Sequence, residues 1–211
     1  MQNPASKTAI LAAGDFPTHP VPLAALDGAA HVVCCDSAAG KLLDFGREPD
    51  AVVGDMDSLS PALRQRLGDR VHHVAEQDDN DLAKAFRFAL SQGWRDIVIL
   101  GATGRREDHT LGNIAWLADF VPLADSVEMV TDYGVFRAYI PPLARFCAAP
   151  GTQISIFGFD PSDPVTGTGL KFPVEGLRLA RWWTAALNEA VADEVTLSFA
   201  TGPLIVFTTH T

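Results

Sequence analysis

Five short apolar runs, none with polar residues alternating through it, set the strongest limit on how this chain can fold. They are "TAILAA" at 8–13, "HVVCCD" at 31–36, "AVVGD" at 51–55, the weaker "VHHVA" at 71–75, and "DIVILG" at 96–101. A strand with one wet face alternates apolar and polar residues. A run that is apolar almost throughout belongs in a sheet covered on both faces, and such sheets are parallel. Parallel strands need crossovers, and helical patterns lie between these runs. The clearest is 81–92, "DLAKAFRFALSQ", where Leu82, Phe86, Ala89 and Leu90 share one face. Asn80 or Asp79 can cap its start and Gly93 ends it. Residues 107–119 predict another helix, with Leu111, Ile114, Ala115 and Ala118 on one side. This alternation predicts an open, mostly parallel α/β sheet with right-handed crossovers.

Beyond residue 125 the pattern changes. "SVEMVTD" and "GVFRAYI" read as strands on either side of Tyr133 and Gly134, followed by "TQISIFGF", "LKFPV", "VTLSFA" and "PLIVFT". Only 182–192 has room for a short helical turn. Short strands punctuated by Gly, Pro, Asp and Thr predict a β-sandwich. The expected organisation is an α/β domain over 1–125 and a β-sandwich over 126–211.

The acidic residues follow the strands. Asp36 comes after the second run, Asp55 and Asp57 after the third, Asp78, Asp79 and Asp81 between the fourth and its helix, and Asp108 after the fifth. In a parallel sheet these positions share one rim, outside the carboxyl ends of the strands, where open α/β folds bind ligands. Carboxylates gathered there repel one another unless a cation sits among them. Oxygen ligands alone favour a hard ion, Mg²⁺ above all, bridging carboxylates to substrate phosphates. The plain alternative is that Asp is common in turns and at helix caps, and Asp79 reads best that way. The turn "GATGRREDH" supplies the opposite charge: Gly101 and Gly104 allow exposed amides near a helix start, and Arg105 and Arg106 can grip phosphate oxygens.

Other classes are excluded by what is missing. The net charge is −10, which argues against nucleic acid or an anionic membrane as partner. The chain contains no Walker loop, no dinucleotide fingerprint and no G-x-S-x-G. His72 and His73 lack zinc-ligand spacing, and Cys34 and Cys35 end a core strand. Three cysteines, a poor leader sequence and no long apolar run predict a cytoplasmic protein without disulfides or a membrane span.

"CCDSAAG", "PDAVVGDMDSL", "EQDDNDLAKAF" and "GATGRREDHTLGNI", in this order, resemble the thiamine pyrophosphokinase (thiamine diphosphokinase) family, and "GTGLKFPV" and "LNEA" resemble its C-terminal motifs. The resemblance runs from residue 34 to the C-terminus. It implies a nucleotide-binding catalytic domain, a thiamine-binding and dimerising β-sandwich, and a homodimer with thiamine held between subunits. The implied reaction moves the diphosphoryl group of ATP to the thiamine hydroxyl, with Mg²⁺, releasing AMP. By motif position Asp55, Asp57, Asp78 and Asp81 would hold metal. Asp55, Asp57, Asp81 and Asp108 would act in catalysis, and either Asp81 or Asp108 would accept the hydroxyl proton. Asp36, Ser37, Gly101, Gly104, Arg106, His109 and Asn113 would meet ATP. Phe172 and Asn188 would meet thiamine, with Trp182 and Trp183 as rivals of Phe172 for stacking. The chain departs from the family pattern at Ser37-Ala38, where Gly-Gly is common, at Asn80 (Thr), at Arg105 (Gly) and at Leu187 (Ser). Arg105 is accordingly expected to matter less than Arg106. A pyrophosphokinase for another hydroxymethyl heterocycle, such as a pterin, and a non-catalytic nucleotide or thiamine sensor are the alternatives.

Overall fold

The expected buried strands are there, and their order in space is what creates a site. The computed structural model describes residues 7–210; residues 1–6 of the start weighed as a leader lie outside them. The first compact unit runs to Trp116 and takes in Ala124–Asp132; the second takes in Leu117–Leu123 and the described residues from Tyr133 onward.

In the first unit β1 (Thr8–Leu11), β2 (His31–Cys35), β3 (Ala51–Gly54), β4 (Val71–His73), β5 (Asp96–Leu100) and β6 (Ser126–Val130) alternate with helices α1 (Pro20–Asp27), α2 (Ala38–Asp44), α3 (Pro61–Leu67), α4 (Asp81–Ser91) and α5 (Glu107–Phe120), the last turn of α5 being counted with the second unit. Every strand pairing in this unit is parallel, in the order β6-β5-β1-β2-β3-β4. Ile10, Val33, Val52, Val53 and Ile99 are each 0% exposed, which is why these runs carry no polar alternation. Each such side chain contributes about 1.5–3 kcal/mol by leaving water. The chain works outward from β1 to β4, then returns to the other side of β1 with β5. That reversal leaves a crevice beyond the carboxyl ends of β1 and β5.

Two expectations for this region are corrected. The residues "SVEMV", read from the sequence as the start of the sandwich, pair in parallel with β5, Ile97 facing Val127 and Ile99 facing Met129. Their polar alternation arises because Glu128 is only partly buried and pairs with Lys7 at 2.8 Å, so the pattern changes one strand before the sheet does. In α5 the buried residues are Leu117 and Phe120, while Leu111 is 48% exposed.

The second unit is a β-sandwich. Its strands are β7 (Gly134–Tyr139), β8 (Leu143–Cys147), β9 (Gln153–Gly158), β10 (Pro164–Thr168), β11 (Leu177–Arg178), β12 (Ala185–Glu189), β13 (Glu194–Ser198) and β14 (Leu204–Thr209). They pair antiparallel as β12-β9-β14-β7 and as β11-β10-β13-β8. Ile154, Ile156 and Val206 from the first sheet share a buried core with Ala144, Phe146, Val195 and Leu197 from the second. The predicted helical turn at 182–192 is instead the turn before β12 and β12 itself. "LKFPV" is a loop touching the sheet by one bridge, Leu170 to Ala190. Pro173 in that segment has no N–H to give a ladder, which suits a loop. Among the described residues no helix is long and apolar enough to cross a membrane.

Candidate active site

The ladder between β1 and β5 continues past the strand ends. Ala12 N–H bonds the Leu100 carbonyl at 2.8 Å, Gly14 the Gly101 carbonyl at 2.8 Å, and Asp15 the Thr103 carbonyl at 2.9 Å. These loops floor a cleft of about 410 Å³ whose lining includes Gly14, Asp55, Asp81, Lys84, Arg105 and His109. It occupies the crevice that the strand order creates.

Three carboxylates converge, and two of them, Asp55 and Asp81, line the cleft. Asp36 follows β2, Asp55 follows β3, and Asp81 opens α4; one oxygen from each lies within 4.8 Å of the others. Gly54 makes this possible. A Cβ at that residue would sit 3.1 Å from Asp81 Cγ and 3.2 Å from Asp36 Cβ, so a larger residue would push the carboxylates apart. Asp36 has φ 33° and Met56, between Asp55 and Asp57, has φ 64°. Non-glycine residues held in such conformations cost about 1–3 kcal/mol and gather at functional sites.

Asp36 is 3% exposed. Its Oδ2 accepts from Ser58 N–H at 2.9 Å, whereas its Oδ1 is buried with no hydrogen-bond partner. Burial raises its pKa, as do the neighbouring charges of Asp81 and Asp55, against the Ser58 bond that lowers it. Burial likewise raises that of Asp81, opposed by Lys84. Asp55 lies below the ordinary range, chiefly because Asp57 N–H donates to its Oδ1 at 3.1 Å. A buried carboxylate oxygen without a donor, beside two further carboxylates, fits a hard divalent cation: the ion would supply the missing partner and offset the repulsion. Asp57 and Asp78 are exposed and stand outside this triad. Asp79 pairs with Arg87.

Cations line the cleft as well. Lys84, one turn after Asp81, is only 3% exposed and lies 3.4 Å from Asp81 Oδ1. No motif singles it out in the sequence, although a lysine flanked by Leu82, Ala83, Ala85 and Phe86 is a signal: such a charge needs a partner. Arg106 holds Asp108 at 3.0 and 2.5 Å, and this pulls the Asp108 pKa down to about 2. Ser37 sits at the start of α2, its hydroxyl unused in capping, and lines the cleft with Gly104, Arg106, His109 and Asn113. Gly101 ends β5 with φ 61°. Asn113 Nδ2 donates to the Ala102 carbonyl at 2.8 Å and its Oδ1 accepts from Asn80 at 2.9 Å.

In the sandwich unit Phe172 is 58% exposed, although a phenylalanine in a β region is ordinarily core. Asn188 is 4% exposed. Its Oδ1 accepts from Phe172 N–H at 3.1 Å and its Nδ2 donates to the Phe172 carbonyl at 2.8 Å. Asn188 therefore fixes the backbone that carries the Phe172 ring. Trp182 and Trp183 are 63% and 70% exposed.

Comparison with known proteins agrees in both units. Residues 24–131 match the family described as the thiamin pyrophosphokinase catalytic domain, and residues 134–207 match the thiamin pyrophosphokinase substrate-binding domain. Thiamine pyrophosphokinase of Bacillus subtilis (strain 168) is 29% identical over 180 residues, 81% of this chain and 83% of that protein. The crystal structure of thiamine pyrophosphokinase from Bacillus subtilis superposes with a TM-score of 0.80 at 26% identity, covering 96% of this chain and 98% of that one. The crystal structure from Geobacillus thermodenitrificans gives 0.78 at 25% identity, covering 97% and 98%. With both of its units matched, this chain belongs to the thiamin pyrophosphokinase family.

Proposed function

We infer that this protein is a thiamine diphosphokinase that transfers the diphosphoryl group of ATP to thiamine. The observation that carries the reading is the cleft at the β1–β5 reversal, lined by Asp55 and Asp81 of the carboxylate triad together with the cations Lys84, Arg105 and Arg106. That is the arrangement polyphosphate chemistry asks for, in a chain whose two units match the catalytic and substrate-binding domains of this family.

The thiamine hydroxyl oxygen attacks the β-phosphorus of ATP. The bond from that phosphorus to the oxygen bridging it to the α-phosphate breaks, and AMP leaves with that oxygen. Such transfers need positioning and charge stabilisation more than covalent help. Asp36, Asp55 and Asp81 would hold Mg²⁺, which when bound neutralises phosphate charge. Asp57 steadies Asp55 through its backbone N–H. Lys84 and Arg106 steady phosphate oxygens, and Ser37, His109 and Asn113 line the nucleotide side of the cleft. Of the two proton acceptors the sequence leaves open, Asp81 is also one of the three carboxylates that would hold the metal, and Arg106 holds the Asp108 pKa down at about 2, so the hydroxyl proton passes to either of them or to solvent. A base works best with a pKa near the operating pH.

Thiamine is a cation with two aromatic rings, so an exposed ring on a fixed backbone suits it. Phe172 held by Asn188 meets that description. A homodimer in the cytoplasm belongs to the same reading, supported by the exposed rings of the sandwich unit and by buried, unbridged Cys34 and Cys35. The test is product analysis by phosphorus NMR. With ATP, Mg²⁺ and thiamine, AMP and thiamine diphosphate should appear in equal amounts. Turnover of a hydroxymethyl pterin in place of thiamine would overturn the substrate, and binding without AMP release would overturn the enzyme.

A further inference from the structure

The turn that opens α5 holds a residue in a conformation its side chain disfavours. Arg105 has φ 60°, in the left-handed region where Cβ crowds the following carbonyl. Gly104 before it has φ 80°, so two successive residues turn the chain the same unusual way. The frame around them is tight. Asp15 N–H bonds the Thr103 carbonyl at 2.9 Å, and a Cβ on Gly104 would lie 2.6 Å from Asp15 Cγ. Glycine would adopt the same backbone without strain. What arginine adds is its side chain, and that side chain lines the cleft.

Among the described residues the guanidinium has only a loose ion pair. The nearest carboxylate, Asp15, is 4.0 Å from Nε, and the two side chains are 72% and 56% exposed. That is beyond hydrogen-bond reach, and exposed pairs contribute little. Lys41 stands close by, its ammonium donating to the Gly14 carbonyl at 2.7 Å. Burial, and then the charge of Arg105, hold the Lys41 pKa below the ordinary lysine value. Arg106, by contrast, is occupied with Asp108 through two hydrogen bonds. Two neighbouring cations, one fixed by a carbonyl and one held by a strained backbone, form a place that a polyphosphate would relieve.

Resting on the reading that this cleft takes ATP, we propose that Arg105, with Lys41 beside it, is a nucleotide-gripping residue of this chain, binding the triphosphate more strongly than Arg106 does. This reverses the order expected from sequence. Arg105→Gly is the informative variant because the backbone conformation suits glycine. Its melting temperature should rise by a few degrees, while KM for ATP rises about tenfold or more and KM for thiamine stays within about twofold. Arg105→Lys should recover part of the ATP affinity without the gain in stability. Inorganic tripolyphosphate should inhibit the wild type and lose potency against Arg105→Gly.

Asp15→Asn separates phosphate gripping from a plain ion pair. If Arg105 serves the nucleotide, this variant leaves KM for ATP unchanged or lowers it. If it mimics Arg105→Gly, the ion pair is the whole role and the proposal is overturned. An active Arg105→Gly enzyme with wild-type KM for ATP also overturns it, as does an Arg106→Ala variant that loses more ATP affinity than Arg105→Gly. A wild type that releases no AMP overturns the underlying reading instead. Calorimetry with ATP on the same variants then still reports on Arg105.

Discussion

Asp36 concentrates the cost of this site in one side chain: it is 3% exposed and one of its oxygens has no donor. Burial places its folded-state pKa above the unfolded value, so the ionised form costs stability at neutral pH. That cost fades as pH falls through the raised pKa and the carboxyl takes up a proton. Asp36→Asn never carries the charge. Without divalent cation it should be more stable than wild type at pH 7 by about 1–3 kcal/mol, and thermal melts taken into acid should show the gap closing. Its turnover should fall by about a hundredfold or more, as when an aimed electrostatic group is lost. A variant no more stable than wild type at pH 7 would mean that Asp36 is satisfied. Asp81 and Lys84 test the ion pair beside it. Asp81→Asn strands a lysine that is 3% exposed, and should cost about 1–3 kcal/mol, at the low end for a pair whose carboxylate is partly in water. Adding Lys84→Met should restore stability without restoring activity, and a double-mutant cycle with no coupling would remove the pair from the account.

At the scale of elements, side chains at the ends of helices and strands hold the loops that carry the site. Asn80 caps α4 by accepting from Ala83 N–H at 3.1 Å, and its amide reaches Asn113 on α5 at 2.9 Å. Asn113 in turn holds the Ala102 carbonyl behind β5. Asn80→Ala should cost about 0.5–2 kcal/mol for the cap and raise KM for ATP by loosening the far side of the cleft. Asn80→Thr keeps a capping oxygen but not the link, so it should recover stability more than KM; recovery of both would show the link to be idle. The sandwich has its own clamp. Asp163, 6% exposed, accepts from Ala200 N–H at 2.8 Å and Thr201 N–H at 2.6 Å, which fixes the turn between β13 and β14. Asp163→Ala removes the charged acceptor of two turn amides and should cost about 1–3 kcal/mol by chemical denaturation, with nucleotide binding untouched.

At the scale of the whole molecule, the homodimer reading has a complementation test. Asp55→Asn should abolish turnover and keep ATP binding measurable, and Phe172→Ala should lose thiamine affinity alone. Mixed subunits of the two variants should regain part of the activity, because one shared site keeps both residues; confirmed exchange without rescue would argue for sites complete within one chain. What could be read along the chain was local. Apolar runs such as Val52-Val53 identified covered strands, Asn80 and Gly93 bounded α4, and the acidic residues could be assigned to one rim because strand ends in a parallel sheet share it. Where the local pattern misled, the deciding force was distant. Glu128 looks like a sandwich position until β5 pairs with β6, and Phe172 looks like core until Asn188, sixteen residues on, ties its backbone into an exposed loop. Residue types and their order, by themselves, determined the two-part architecture and the family, since periodicity and turn preference are written in neighbouring residues. The narrowing of the acidic set to Asp36, Asp55 and Asp81, the burial of Lys84 and the strained backbone of Arg105 came only with the tertiary structure. Each depends on which strand lies beside which and how closely their loops approach, and those pairings join residues far apart in the chain.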